Sequence, residues 1–264
     1  MNSMTHPNIS AVLDFLNDPG LWFSAGVVAL VWLISLALKL GLEKDLIFST
    51  FRGFFQLVLV GFVLLWIFSL KNNGLVVGVL LMMILLAGNI ARKRGRGIPH
   101  VFWIVAASLT VSTGITLGVL IFGRSIEPTM IYLIPLGGMI IGNSMNGAGL
   151  TLNRLKAEME LRKEEVLVYL SLGASPHQSV QNILNEVIKA ALIPPIDTMK
   201  ALGVIFIPGM MAGLIIAGKS PLVAVRYQII VMFMLLASAA LTNLMVVLLG
   251  YRQFFSARAQ LKSL

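Results

Sequence analysis

Apolar positions gather in seven long blocks, residues 21–40, 54–70, 74–91, 101–123, 129–152, 201–217 and 227–250. A hydrocarbon core of roughly 30 Å needs about 20 apolar residues wound as helix, and every block reaches or approaches that length. Apart from Lys39, no Asp, Glu, Lys or Arg falls inside any block. A charge at the bilayer centre costs at least ~2.5 kcal/mol, so this exclusion points to lipid. The pattern predicts an all-α, polytopic helical membrane protein of about seven transmembrane helices, organised as one transmembrane domain over residues 1–264.

Composition sharpens the picture. Of 264 residues, 58% are hydrophobic and 12% charged, against about 25% charged in a soluble domain. The net charge of +9 would suggest nucleic acid in a soluble protein, but here its placement matters more. Counted over alternate loops, sixteen of the 20 Lys and Arg fall on one side, and only Lys71, Arg124, Lys219 and Arg226 on the other. Short cytoplasmic loops hold the positive excess, which puts the N-terminus outside, the C-terminus in the cytoplasm, and removes nucleic acid as a partner. No basic residue precedes the first block, which is also too long for a signal-peptide core, so it is read as a retained span. There are no cysteines, and the three histidines, His6, His100 and His177, are scattered. A zinc site of nitrogen and sulfur ligands is therefore not expected.

The longest polar stretch, residues 153–200, reads as a cytoplasmic pair of helices between the fifth and sixth spans. Leu155, Met159, Val166 and Leu170 recur at loosely helical spacing among Glu158, Glu160, Arg162, Lys163, Glu164 and Glu165, and Gly173 closes this helix. The next begins with Ser175 as cap, Pro176 at the first helical position and Gln178 completing a capping box. Val180, Ile183, Leu184, Val187, Ile188, Ala191 and Leu192 then form one apolar stripe, and Pro194 and Pro195 end it. Such a helix either lies on the lipid surface or docks a soluble partner.

Resemblance favours docking. The run Val168-Tyr169-Leu170-Ser171-Leu172-Gly173-Ala174-Ser175-Pro176 resembles the cytoplasmic loop with which ATP-binding cassette permeases engage their ATPase subunit. It departs from that pattern at Leu167, where an acid is expected; the nearest acids are Glu164 and Glu165. The resemblance implies docking through Glu164, Glu165, Leu172, Gly173, Ala174 and Ser175.

A broader set of motifs runs through the chain. Gly41-Leu42-Glu43-Lys44-Asp45 with Arg52, Gln56 and Leu57 comes first, then Gly138-Met139-Ile140-Ile141-Gly142-Asn143-Ser144-Met145. Ala191-Leu192-Ile193-Pro194-Pro195-Ile196-Asp197, Pro208-Gly209-Met210-Met211 and Tyr227-Gln228-Ile229 follow. Together they resemble the FetB permease family, the membrane subunit of a bacterial transporter implicated in iron export and peroxide resistance, similar to plant subunits linked to aluminium tolerance. The resemblance implies a multi-pass protein of the inner (plasma) membrane, working as a homodimer among membrane lipid. ATP and Mg would be bound by a separate ATPase subunit, and a metal ion carried out of the cytoplasm. An importer or exporter of a small organic or lipid-like cargo, or a stand-alone transporter, is the alternative.

Residues 213–220, from Gly213 to Gly218-Lys219-Ser220, satisfy the phosphate-loop pattern G-x-x-x-x-G-K-[ST]. The flanks are an apolar block and Pro221 rather than a strand and a helix start, so the match is taken as accidental and the chain as a transport subunit, not an enzyme. The fifth and sixth blocks each carry Gly-Met-x-x-Gly after a proline, at Pro135 and Pro208. Both helices are expected to kink or break there, which serves either close packing or a transport site. Polar groups unsatisfied in lipid are costly, so Gln56, Asn143 and Asn146 are candidate pathway groups. Met139, Met210 and Met211 offer soft contacts or gap filling. Glu43, Asp45 and Arg52 belong to the cytoplasmic mouth, and Asp197 either caps the sixth span or meets a cation. No cage of hard metal ligands is visible, and no block carries the mid-membrane carboxylate of a proton-coupled carrier.

Overall fold

The computed structural model describes residues 17–70, 74–256 and 258–262. The chain divides into two compact units, residues 1–72 and 73–264.

The first unit is a helical hairpin, α1 (Pro19–Leu38) and α2 (Glu43–Ser69). Asp18 starts α1 by accepting a hydrogen bond from the Gly20 amide at 2.9 Å, with Pro19 at the first helical position. Lys39 ends it in the left-handed region at φ 51°. Glu43 then pins the turn, its Oε1 accepting from Ser35 Oγ at 3.2 Å and from the Gly41 amide at 3.3 Å. The second apolar block thus starts eleven residues before 54, because the charged first turns continue the same helix. Glu43 and Asp45 lie in its first turn, where the helix dipole favours acids.

The second unit holds α3 (Gly74–Ala91), α4 (Val101–Phe122), α5 (Met130–Leu161), α6 (Lys163–Ser171), α7 (Pro176–Ala201), α8 (Gly209–Ile216) and α9 (Pro221–Gly250). A 3-10 turn, Tyr251–Phe254, follows. No β-strand occurs among the described residues; the only β pairings there are two isolated bridges. Helices α1, α2, α3, α4 and α9 are long and apolar enough to cross a membrane. The architecture is all-helical, as the apolar blocks predict.

In this unit α9 packs on α4, α5 and α7, and α3 packs on α4 and α5. Leu109, Ala148, Leu152, Leu155, Met159, Val187 and Val246 lie in one buried cluster. Close approach needs glycine: a Cβ on Gly137 would lie 2.3 Å from Leu80 Cδ2. In lipid, where apolar surface is not driven together by water, such small-residue contacts hold helices to one another.

Three expectations are corrected. The fifth block does not stop at residue 152, since α5 continues to Leu161 and carries the start of the polar stretch, residues 153–161, as its own extension. Pro194 and Pro195 do not end the second polar helix; α7 runs through both to Ala201. A proline strips the donor from the carbonyl four residues earlier, and for Ala191 that loss is made good from outside the helix by Asn243 Nδ2, at 3.3 Å.

Residues 201–217, finally, are not one helix: the break expected at Pro208 occurs, whereas α5 runs through Pro135 without a break. Between α7 and α8 the chain is non-helical from Leu202 to Pro208, with Gly203 at φ 73° and Pro208 extended at ψ 147°. Glycine permits the reversed conformation and proline restarts the helix. The position of this break can be read against α9. The His177 ring stacks edge-on against Tyr251 at 5.7 Å between centroids, Ala191 meets Asn243, and Thr198 and Met199 share a cavity with Met232 and Leu235. At 1.5 Å per residue, α7 climbs about 24 Å along α9, and the chain unwinds about halfway up it. The second half of α7, the break and α8 together make a discontinuous helical segment.

Candidate functional site

Local signals build the elbow between α5 and α7. Arg162 leaves helical geometry at φ −103°, ψ 24°, and the turn after α6 is made at Gly173, whose φ of 88° is unstrained only for glycine. The amides of Gly173 and Ala174 close the turn onto Leu170 O and Tyr169 O at 3.1 and 3.0 Å. Ser175 then starts α7 with the predicted capping box: its Oγ accepts from the Gln178 amide at 3.4 Å, and Gln178 Oε1 accepts from the Ser175 amide at 2.9 Å.

A tertiary contact that the sequence did not disclose locks this elbow. Arg162 donates from both terminal nitrogens to the Glu186 carboxylate on α7, and its Nε lies 3.4 Å from Glu158. The Glu186 hydrogen bond, with the nearby charges of Glu186, Glu158 and Glu165, holds the guanidinium above its ordinary pKa. Glu186 lies 24 positions away, beyond the reach of helical spacing.

The apolar stripe of α7 serves neither of the two purposes expected of it. Val180, Ile183, Leu184 and Val187 are buried in the protein's own core with Leu155, Met159, Val166 and Phe254. The elbow leaves its apex free instead. Leu161 is 80% exposed and Leu172 79%, with Leu167, Val168 and Tyr169 exposed beside them. Glu164, Glu165, Gly173 and Ser175 are exposed and Ala174 is half-buried.

Above the elbow, a cavity of about 610 Å³ opens between α5, α7 and α9. Asn143 and Asn146 both line it, joined by Thr151, Thr198 and Asn243. Asn243 is 1% exposed, and its Oδ1 and the Thr151 hydroxyl have no hydrogen-bond partner. A polar seam lies in the same helix packing: Thr242 Oγ1 donates to Ser112 Oγ at 2.6 Å, and Ser144 Oγ to Ser238 Oγ at 3.4 Å. An asparagine inside an otherwise apolar block was the available sign of Asn243.

Met139 and Met210 line a second cavity, of about 720 Å³, towards the other end of α5 and α9. Met211 lines neither. Gln56 is exposed on α2 in the first unit, as are Asp45 and Arg52, while half-buried Glu43 buttresses the α1–α2 turn. Asp197 caps nothing: it lies inside α7 and pairs with Lys200 at 2.9 Å. No group of three His, Cys, Asp or Glu able to hold a metal occurs among the described residues.

The phosphate-loop pattern falls on the end of α8 and the turn into α9. The amides of Ala217, Gly218 and Lys219 bond to Gly213 O, Ile215 O and Leu214 O at 2.9 to 3.0 Å, and Ser220 accepts from the Val223 amide at 3.5 Å. The amides that would cradle phosphates are engaged in closing a helix.

Comparison with known sequences now places the chain. Residues 19–255 match the family described as "Uncharacterised protein family (UPF0014)". The chain belongs to the UPF0014 family. It is 40% identical over 235 residues to the "UPF0014 membrane protein YjkA" of Bacillus subtilis, covering 89% of this chain and 94% of that one. It is 41% identical to the "Probable iron export permease protein FetB" of Escherichia coli, covering 89% and 91%. With the "Protein ALUMINUM SENSITIVE 3" of Arabidopsis thaliana the identity is 34%, covering 90% and 87%. No solved structure matches the chain. In this UPF0014 protein the elbow and the α5–α7–α9 cavity belong to one packed unit.

Proposed function

We propose that this UPF0014 protein is the membrane permease subunit of an ATP-driven transporter that exports iron or another metal ion from the cytoplasm. FetB, its relative over most of both chains, is named a probable iron export permease. The observation that carries the reading is the elbow: a short helix locked to its neighbours by Arg162 and Glu186, with an apolar apex at Leu161 and Leu172 that the protein's own core does not cover. An apolar apex on a rigid mount suits a groove in a soluble partner. That partner is an ATPase subunit, which binds ATP and Mg; the permease supplies no nucleotide site. Two permeases and two ATPases make the working unit, set in the inner membrane.

Cargo passes the cavity beside the discontinuous segment. Broken helices mark transport sites because unwound backbone and helix ends present unpaired polar groups. The polar lining is amide and hydroxyl with one charged group, Arg154, and no carboxylate, which suits a metal ion carried with its water or with a chelating ligand, since coordinated water donates to such oxygens. Asn143 and Asn146 contact it from α5.

The test is co-purification. Leu172→Asp alters an exposed side chain, so the permease should insert and fold normally while losing its ATPase subunit. Undiminished recovery of that subunit with the variant would overturn the docking assignment.

A further inference from the structure

We propose that the second cavity holds the phosphate headgroup of an anionic phospholipid, with Arg124 and Arg226 as its counter-charges. The proposal is independent of the cargo and of the ATPase partner.

The cavity, of about 720 Å³, lies between the α4–α5 loop, α5 and the start of α9. Its walls are apolar, with Leu120, Leu136 and Ile230 among them, and its charged groups are Arg124, Arg226 and Glu127. Neither arginine has an ion pair among the described residues. Both arginines are exposed at the cavity mouth, and two guanidiniums against one carboxylate leave a positive excess beside the apolar wall that attracts an anion. A guanidinium fork matches phosphate oxygens in particular.

Two further observations make the pair more than chance. By the alternate-loop count only four of the 20 Lys and Arg fall at this end of the membrane, yet two of them converge on one cavity. Arg124 also occupies the left-handed position that closes α4, at φ 51°, with its amide on Ile121 O and the Ser125 amide on Leu120 O, both at 3.0 Å. Glycine is the usual residue there. Lys39 and His100 hold the same kind of position at other helix ends, but only here does the left-handed residue line a cavity beside a second arginine.

The mouth identifies the source of the phosphate. Ile131, on the rim, is 63% exposed, and Tyr132 and Tyr227 stand beside it, as aromatic residues do at the headgroup level. A free anion would leave that wall in contact with water, whereas a lipid covers it with the first methylenes of its acyl chain.

Native mass spectrometry of the purified full-length protein, with phosphatidylglycerol and phosphatidylcholine supplied at equal concentration, tests this. The wild type should retain phosphatidylglycerol with about tenfold preference. Arg124→Gly with Arg226→Gln should abolish that preference, the glycine relieving strain as it removes the charge. Ile131→Trp, which narrows the cavity with both arginines in place, should lower retention as well, and decides the matter if the double variant does not fold. Equal retention of the two lipids by the wild type, or full preference in the variants, would overturn the proposal. Displacement of phosphatidylglycerol by millimolar inorganic phosphate would show a free-anion site and overturn the lipid assignment.

Discussion

Asn243 Nδ2 donates to the carbonyl of Ala191 at 3.3 Å, and Pro195, four residues beyond Ala191, is what leaves that carbonyl without a helical donor. One side chain on α9 thus replaces the donor that Pro195 removes from α7. The bond also sets α7 against α9 at the level of the polar cavity.

Asn243→Ala should therefore destabilise the protein by about 1–3 kcal/mol, the usual cost of stranding a buried polar group. Pro195→Ala restores the missing N–H, so in that background the same substitution should cost less. Thermal unfolding of the four proteins in detergent measures the coupling, and strictly additive costs would sink the explanation.

Gly147 faces the same side chain across the α5–α9 contact. A Cβ there would lie 2.9 Å from Asn243 Oδ1 and 3.2 Å from Nδ2, so Gly147→Ala should cost about 1–3 kcal/mol by overpacking. Adding Asn243→Ala opens the space, and the double variant should be less destabilised than the sum of the two single changes.

At the elbow, Ser175→Ala removes the helix cap and half of the capping box. A loss of about 1 kcal/mol is expected, with Ser175→Asp retaining most of the stability because it also caps. Melting temperature distinguishes the two substitutions.

Asn143 is exposed on the cavity wall, so Asn143→Leu should lower metal efflux while dimer yield stays unchanged. Equal loss of efflux and dimer would make it a packing residue instead.

Much of the elbow was legible because its instructions are local. Gly173, Ser175, Pro176 and Gln178 act on residues within about one helical turn, and each stands where the spacing placed it. The fate of the α7 stripe was not legible. Val180, Ile183, Leu184 and Val187 would look the same facing lipid, a partner or their own core, because all three environments select the same apolar side chains. The sixth block was legible in part. Pro208 marked the break in advance, whereas hydropathy, which does not register backbone signals, scores residues 201–217 as one span.

By itself, then, the sequence determined the apolar blocks, the helical class, the caps and turns of the elbow, and the family. These follow from exclusion of charge by lipid and from hydrogen bonds between near neighbours. The tertiary structure alone decided that Arg162 meets Glu186 across 24 positions and Asn243 meets Ala191 across 52. It also decided that the two cavities lie along α5 and α9. Such pairings depend on which helices pack together and at what height, and no periodicity along one chain segment carries that information.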